Sequence, residues 1–389
     1  MTDLQKFFSF SQQIAGKRVV IFGAGRSAAQ FLAELPVVPE FFIDNDPKRE
    51  GEEFLGRPVR AVQALMDLPS EALFVVICTQ DFEAVALQLS SLGLVPNKQF
   101  VEAPQFQIND QPECELLVSC IGDHGGIYRV NALTKQAEHV FQGDVRGLSV
   151  GKDSIVAVLE HEGLVRLDFD FKVVQRHPPV PKLDFHGIAH NAEENVYYVT
   201  ETQFDRVGIY DGQTLERTGE FVLAGEPGSG RDAHHVNDTC FHRGELYVSM
   251  FSRQGVWRNE VWNDGTIVVL DPSSGRIKRT LITGLQQPHS IHFEGQHLWF
   301  CNSMNYAVHR GTTEACTFSG YTRGLAQFGK FMFVGQSKVR RLSRFSSRFN
   351  NISLDCGLHV WHKENNTSSF IPLAAGGVFD IVVLNQPSV

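Results

Sequence analysis

The sequence predicts two folded parts of different class: an α/β domain with a small parallel sheet, then an all-β six-bladed propeller closed by its own C-terminal strand. Three observations carry this. Near the start, an apolar run turns through closely spaced glycines into a helical pattern. Beyond residue 113, helical periodicity gives way to short strands separated by Gly, Asn and Asp turns. Within those strands a three-residue motif recurs six times. The boundaries that follow are an N-terminal segment at 1–14, the α/β domain at 15–104, a linker at 105–113 and the propeller at 114–387.

Composition bounds the function. At 389 residues the chain exceeds one ordinary domain, and 42% hydrophobic with 20% charged residues suits a globular protein with ample core. A net charge of −9 argues against general nucleic-acid binding. The start, MTDLQKFFSFSQQIAGKR, has an apolar patch shorter than a signal peptide's core. No segment approaches the ~20 apolar residues of a membrane span, so no membrane partner is expected. Seven cysteines without paired spacing point to reduced thiols in a cytoplasmic protein.

The first element is the strand-like run at Val19 to Phe22, followed by Gly23-Ala24-Gly25-Arg26-Ser27-Ala28 and a helical pattern. This is G-x-G-x-x-A between a strand and a helix, the context in which it cradles phosphate. Gly23 permits the tight turn, Gly25 close approach of a ligand, and Ala28 helix-on-sheet packing. Arg26 and Ser27 complete the turn. The second strand, EFFIDND, ends in Asp44, where an acidic group can meet a ribose hydroxyl. Strand and helix then alternate through ALFVVICT and DFEAVALQLSSLG to a last strand at KQFVEA, a Rossmann-like order. The segment FIDNDPKREGEEFLGRPVRAVQAL resembles the small Rossmann-like domain ahead of bacterial sugar acyltransferases and other sugar-modifying enzymes. The resemblance covers roughly ninety residues. It implies a nucleotide or nucleotide-sugar at Gly23, Gly25 and Asp44, not a complete dinucleotide site, because the second half of a full dinucleotide fold is missing.

The linker APQFQINDQPE leads into strands such as ELLVSCI, GIYRVN, SIVAVLE and NVYYVTE. The recurring tripeptides are RGL at Arg146, HGI at His186, HHV at His234, HSI at His289, RGL at Arg323 and FDI at Phe379. Successive starts are 40, 48, 55, 34 and 56 residues apart, close to the length of a propeller blade once loops are allowed for. Each tripeptide then begins an innermost strand. The second column, Gly147, Gly187, His235, Ser290, Gly324 and Asp380, is mostly small because six strands crowd there. The third, Leu148, Ile188, Val236, Ile291, Leu325 and Ile381, is apolar packing between blades. The strands at 116–142 lack an inner partner and VFDIVVL lacks outer ones, so the two chain ends complete one blade. This region resembles an uncharacterised bacterial six-bladed propeller family with a His-rich repeat. It is more remotely similar to gluconolactonase-like and peptidylglycine-lyase-like propellers. Inner-strand histidines of the lyases hold a metal; that resemblance reaches only His186, His234 or His235, and His289, and the remaining lyase signatures are not evident.

The first column, Arg146, His186, His234, His289 and Arg323, is expected to ring one mouth of the channel. Three neutral imidazoles suit Zn²⁺ or a related Mn, Fe or Ni ion, and two guanidiniums suit a carboxylate or phosphate. Singly, each histidine reads as well as a backbone cap. The long loop before His234 leaves open whether it or His235 faces the channel. Enlarged loops add AGEPGSGRD (224–232), then SRQGVWRNEVWNDG with Trp257, Arg258 and Trp262 for stacking on a sugar or base. A third carries Lys338, Arg340, Arg341, Arg344 and Arg348, a cationic run in an acidic protein. Glu160, Glu201 and Asn302, at the ends of second strands, are the nearest acid/base or extra binding groups. The expected function is a metal-dependent lyase, hydrolase or isomerase for a small anionic, sugar- or nucleotide-derived substrate, with Arg146 and Arg323 holding the anion. The rival is a glycan- or partner-binding propeller with a nucleotide-sensing domain; fold does not decide between them.

Overall fold

In the computed structural model, which describes residues 10, 13–35, 37–79, 81–103, 111–177, 183–223, 232–259, 263–338, 351–364 and 366–384, the chain divides into units at 1–110 and 111–389. In the first unit, alternation along Arg18–Phe22 sends Val19 and Ile21 to one sheet face and Val20 and Phe22 to the other. The strands are β1 (Arg18–Phe22), β2 (Phe41–Ile43), β3 (Glu53–Phe54), β4 (Arg57–Arg60), β5 (Leu73–Ile77) and β6 (Phe100–Glu102), in the order β3-β4-β2-β1-β5-β6. All pairings are parallel except β3 with β4, an antiparallel edge hairpin that sequence periodicity did not separate from its neighbours. Helix α1 (Arg26–Glu34) packs Ala28 and Phe31 on one face, and α2 (Phe82–Ser91) packs Val85 and Leu89 on the other.

The second unit is a six-bladed β-propeller. Its inner strands are Val145–Val150, Phe185–Asn191, Val236–His242, Pro288–Glu294, Tyr321–Phe328 and Gly377–Val383, which begin blades 1 to 6 in that order. In blade 6 the inner strand pairs with Glu115–Ile121, so the last strand meets the first and the ring is closed by both ends. Apolar burial lies between blades, not on the axis: Val158, Ile188 and Tyr210 join blades 1 and 2, for example, and Val118, Phe333 and Ile381 join blades 5 and 6. Each inner strand carries a β-bulge at its entrance. A bulge at this point re-aims side chains and lets six strands converge.

The bulges correct the register of blade 3. Its shift falls between Val236 and Asp238, so Asn237 stands where Arg146, His186 and Phe379 stand in theirs. The motif of this blade is Asn237-Asp238-Thr239, starting three residues after His234. The adjacent spacings become an even 51 and 52 residues. The second column is therefore Gly147, Gly187, Asp238, Ser290, Gly324 and Asp380. Its polar members tie neighbouring blades together: Leu148 N donates to Asp380 (3.0 Å), Ile291 N to Asp238 (2.8 Å) and Gly324 N to Ser290 (2.6 Å). Glycine is required at 187, where a Cβ would overlap the Asp238 carboxylate. Among the described residues no helix is long and apolar enough to cross a membrane.

Candidate functional site

The mouth ring reads Arg146, His186, Asn237, His289, Arg323 and Phe379, one residue per blade. Phe379 lies between the two guanidiniums, its ring centre 5.0 Å from Arg146 and 4.1 Å from Arg323. Arg146 contacts Glu160 and His186 closely and reaches Asp184 at 3.4 Å. Because a guanidinium only donates, its contact with His186 Nε2 makes that nitrogen the acceptor. The proton then sits on Nδ1 and is donated to Asn237 Oδ1 at 2.6 Å. Burial, and then the charge of Arg146, pushes His186 down to about 3. Burial and then Arg323 take His289 well below its usual value. Both rings are neutral at pH 7. His289 Nδ1 meets Ser303 Oγ at 2.7 Å, while its buried Nε2 has no hydrogen-bond partner among the described residues.

The two adjacent histidines separate. His234 turns away from the mouth: its Nδ1 lies 2.8 Å from the Ser252 carbonyl, and a Cβ at Gly255 would come within 2.9 Å of its Nε2. His235, at φ 53°, faces inward with its ring 5.4 Å from that of His186. Its Nδ1 lies 3.0 Å from Asp232, whose side chain is buried. Asp232 in turn accepts from Trp257 Nε1 (2.9 Å) and Arg258 (2.8 Å), and Trp257 packs on the His235 ring at 4.4 Å. Trp257 and Arg258 thus brace this pair, and both remain at least partly exposed. The sequence reading passed over Asp232; its signal was a carboxylate three residues before an imidazole in RDAHH.

Other expected groups are engaged by their neighbours. Glu201 is fully buried and held by Arg206, by Arg217 at 2.8 Å and by Tyr210 OH at 2.7 Å, so neither oxygen is left for acid/base work. Asn302 accepts from Gln286 N at 2.7 Å and fixes the approach to the blade 4 inner strand. Glu160 is bound to Arg146. Arg340, with Arg341, Arg344, Arg348, Trp262 and residues 224–231, lies outside the described residues.

The expected metal set does not come together. Both nitrogens of His186 are engaged, a guanidinium abuts the ring, and His234 points elsewhere. Among the described residues no group of three or more His, Cys, Asp or Glu is placed to hold an ion. The residues at the mouth do not fit a metal. Arg323, Tyr321, Phe379 and His235 stay partly exposed above the buried part of the ring.

In the first unit, Gly23 (φ 96°) sits where a Cβ would come within 2.9 Å of the Cys78 carbonyl. That is the point where strand order reverses between β1 and β5. Gly25 caps α1 with nothing within 4 Å of where its Cβ would be. Asp44 accepts from Ala24 N and Asp46 N, both at 3.0 Å, with Arg49 3.7 Å away. It braces the turn through backbone amides, whereas a ribose hydroxyl was the expected partner. Arg26 and Ser27 form the first turn of α1.

The solved structures most informative here share only the fold. A chain of a nidogen–laminin complex is 12% identical, with a TM-score of 0.50, covering 69% of this chain and 97% of its own. A protein of unknown function from Bacteroides caccae is 11% identical, with a TM-score of 0.51, covering 71% of this chain and 100% of its own. No curated protein matches in sequence. A family model does match, over residues 180–389, which include the inner strands of blades 2 to 6. That span is more than half of the chain, and the chain belongs to the family described as Domain of unknown function (DUF4915).

Proposed function

We propose that the propeller mouth binds a small anionic substrate and that His235 moves a proton in its conversion. The Asp232–His235 pair carries this reading. A buried carboxylate that fixes Nδ1–H leaves Nε2 as the basic nitrogen, the arrangement of a positioned general base. Arg146 and Arg323 supply the positive field for a carboxylate or phosphate, and the open Nε2 of His289 offers a further polar contact. Hydrolysis, elimination and isomerisation share such a proton transfer. Calorimetry with sugar phosphates, uronates and nucleotide-sugars tests binding. Arg323→Met should weaken the best ligand roughly tenfold or more. His235→Asn should keep binding while lowering turnover by about a hundredfold or more. Affinity unchanged in both Arg146→Met and Arg323→Met would overturn the reading.

For the first unit we infer a nucleotide phosphate at the Gly23–Ser27 turn. Supporting this are the open space at Gly25, the helix start and the strand-order reversal. Nucleotide titration of Gly25→Val should show lost affinity; equal binding by both proteins would favour an unused crevice.

A further inference from the structure

On the other side of the ring, the channel widens into a cavity of about 340 Å³. Its walls run from the second column toward the far ends of the inner strands. Leu148, Ile188, Ile291, Leu325, Ile381 and Val383 give them aliphatic patches, His190, Ser290, His292 and Gln327 polar ones, and none of the six mouth residues takes part. Two carboxylates enter this cavity, Asp238 from blade 3 and Asp380 from blade 6. These blades stand opposite each other in a ring of six. Each carboxylate accepts backbone N–H groups from a neighbouring blade, and neither has a cationic partner among the described residues. Burial, then the charge of Asp238, raises Asp380 to about 7, and burial raises Asp238 to about 6. Thr239, 4% exposed, adds a hydroxyl in the same wall with no hydrogen-bond partner among the described residues. A carboxylate pair without a cationic partner among the described residues, in a cavity with both polar and aliphatic wall, is built for a cation that also brings some carbon surface. A divalent ion would find only the two carboxylates as charged oxygen ligands.

We propose that this cavity is a second ligand site, separate from the mouth, that takes an organic amine: its ammonium group against Asp238 and Asp380, its carbon chain along the aliphatic patches of Leu148, Ile291 and Leu325. The ammonium group donates to the carboxylates and to Thr239 Oγ1, and the cavity's size falls in the range of small-molecule pockets.

Calorimetric titration of the full chain at pH 8 tests this, with hexylamine, hexan-1-ol, calcium and manganese as probes. Hexylamine should bind saturably, hexan-1-ol at least tenfold more weakly, and Asp238→Asn and Asp380→Asn should each reduce hexylamine affinity at least tenfold. Circular dichroism confirms folding of each variant; should Asp380→Asn fail to fold, Asp238→Asn decides. Equal binding of amine and alcohol would overturn the proposal, leaving a cavity without charge selectivity. So would hexylamine affinity unchanged by the substitutions, failure of hexylamine to bind, or calcium or manganese binding that the substitutions abolish while hexylamine does not bind.

Discussion

Glu201 and Asp232 are both buried carboxylates beside arginines, yet they do different work. Glu201 has its two oxygens consumed by Arg206, Arg217 and Tyr210. Removing it as Glu201→Gln should cost roughly 3 kcal/mol, because charged partners lose their counter-ion in a buried place. Urea denaturation would measure this, with ligand affinity at the mouth unchanged. Asp232 instead spends one contact on an imidazole that faces the mouth. In the sequence the two acids look alike, because the partners that separate them come from other strands and from a loop. Asp380 shows the opposite electrostatic case. Its folded-state value is raised to about 7, so the proton is held more tightly in the fold than in the unfolded chain. The stability this contributes is present below about pH 4 and is lost as pH rises through 7. Asp380→Asn cannot ionise. Its stability relative to the native chain should therefore rise between pH 4.5 and 8, by no more than about 4 kcal/mol. A urea midpoint difference that stays flat over that range would contradict the assignment.

At the scale of the element, the inner strand is the repeating part, and its spacing was legible because glycine and aliphatic residues recur in adjacent columns. Blade 3 was misaligned by three residues for a physical reason. His-His-Val imitates the His-Gly-Ile of blade 2, but the position is defined by a bulge and by a second-column group that accepts from the next blade, as Asp238 does. Those bonds are invisible to composition. The tight column predicts a sharp contrast between two glycines. Gly187→Ala should destabilise the propeller by about 1–3 kcal/mol, since its methyl would strike the Asp238 carboxylate and backbone. Gly25→Ala, at φ −127° in open space, should melt within about 0.5 kcal/mol of the native chain. The N-terminal turn was legible as a strand–glycine–helix junction, while the antiparallel β3–β4 edge was not, its two short strands being too brief for periodicity.

At the scale of the whole molecule, closure of the ring is the feature on which the fold depends. A chain starting at Gln111 keeps every propeller strand and should unfold in one cooperative transition. A chain ending before Gly376 loses the inner strand of blade 6, exposes the edge of Glu115–Ile121 and should aggregate on expression. A soluble, cooperatively melting product of that truncation would contradict the closure. The same clasp sets how the ring responds to force. The inner strand of blade 6 runs antiparallel to Glu115–Ile121, and Leu384 N donates to Glu115 O at 2.8 Å, so the start of the one strand and the end of the other lie side by side. Pulling them apart loads the hydrogen bonds one after another from that end, Leu384–Glu115 first, and not all at once along the strand. Stretched between residues 115 and 384, the propeller should open like a zipper at low tension, blade 6 parting before any other sheet is strained.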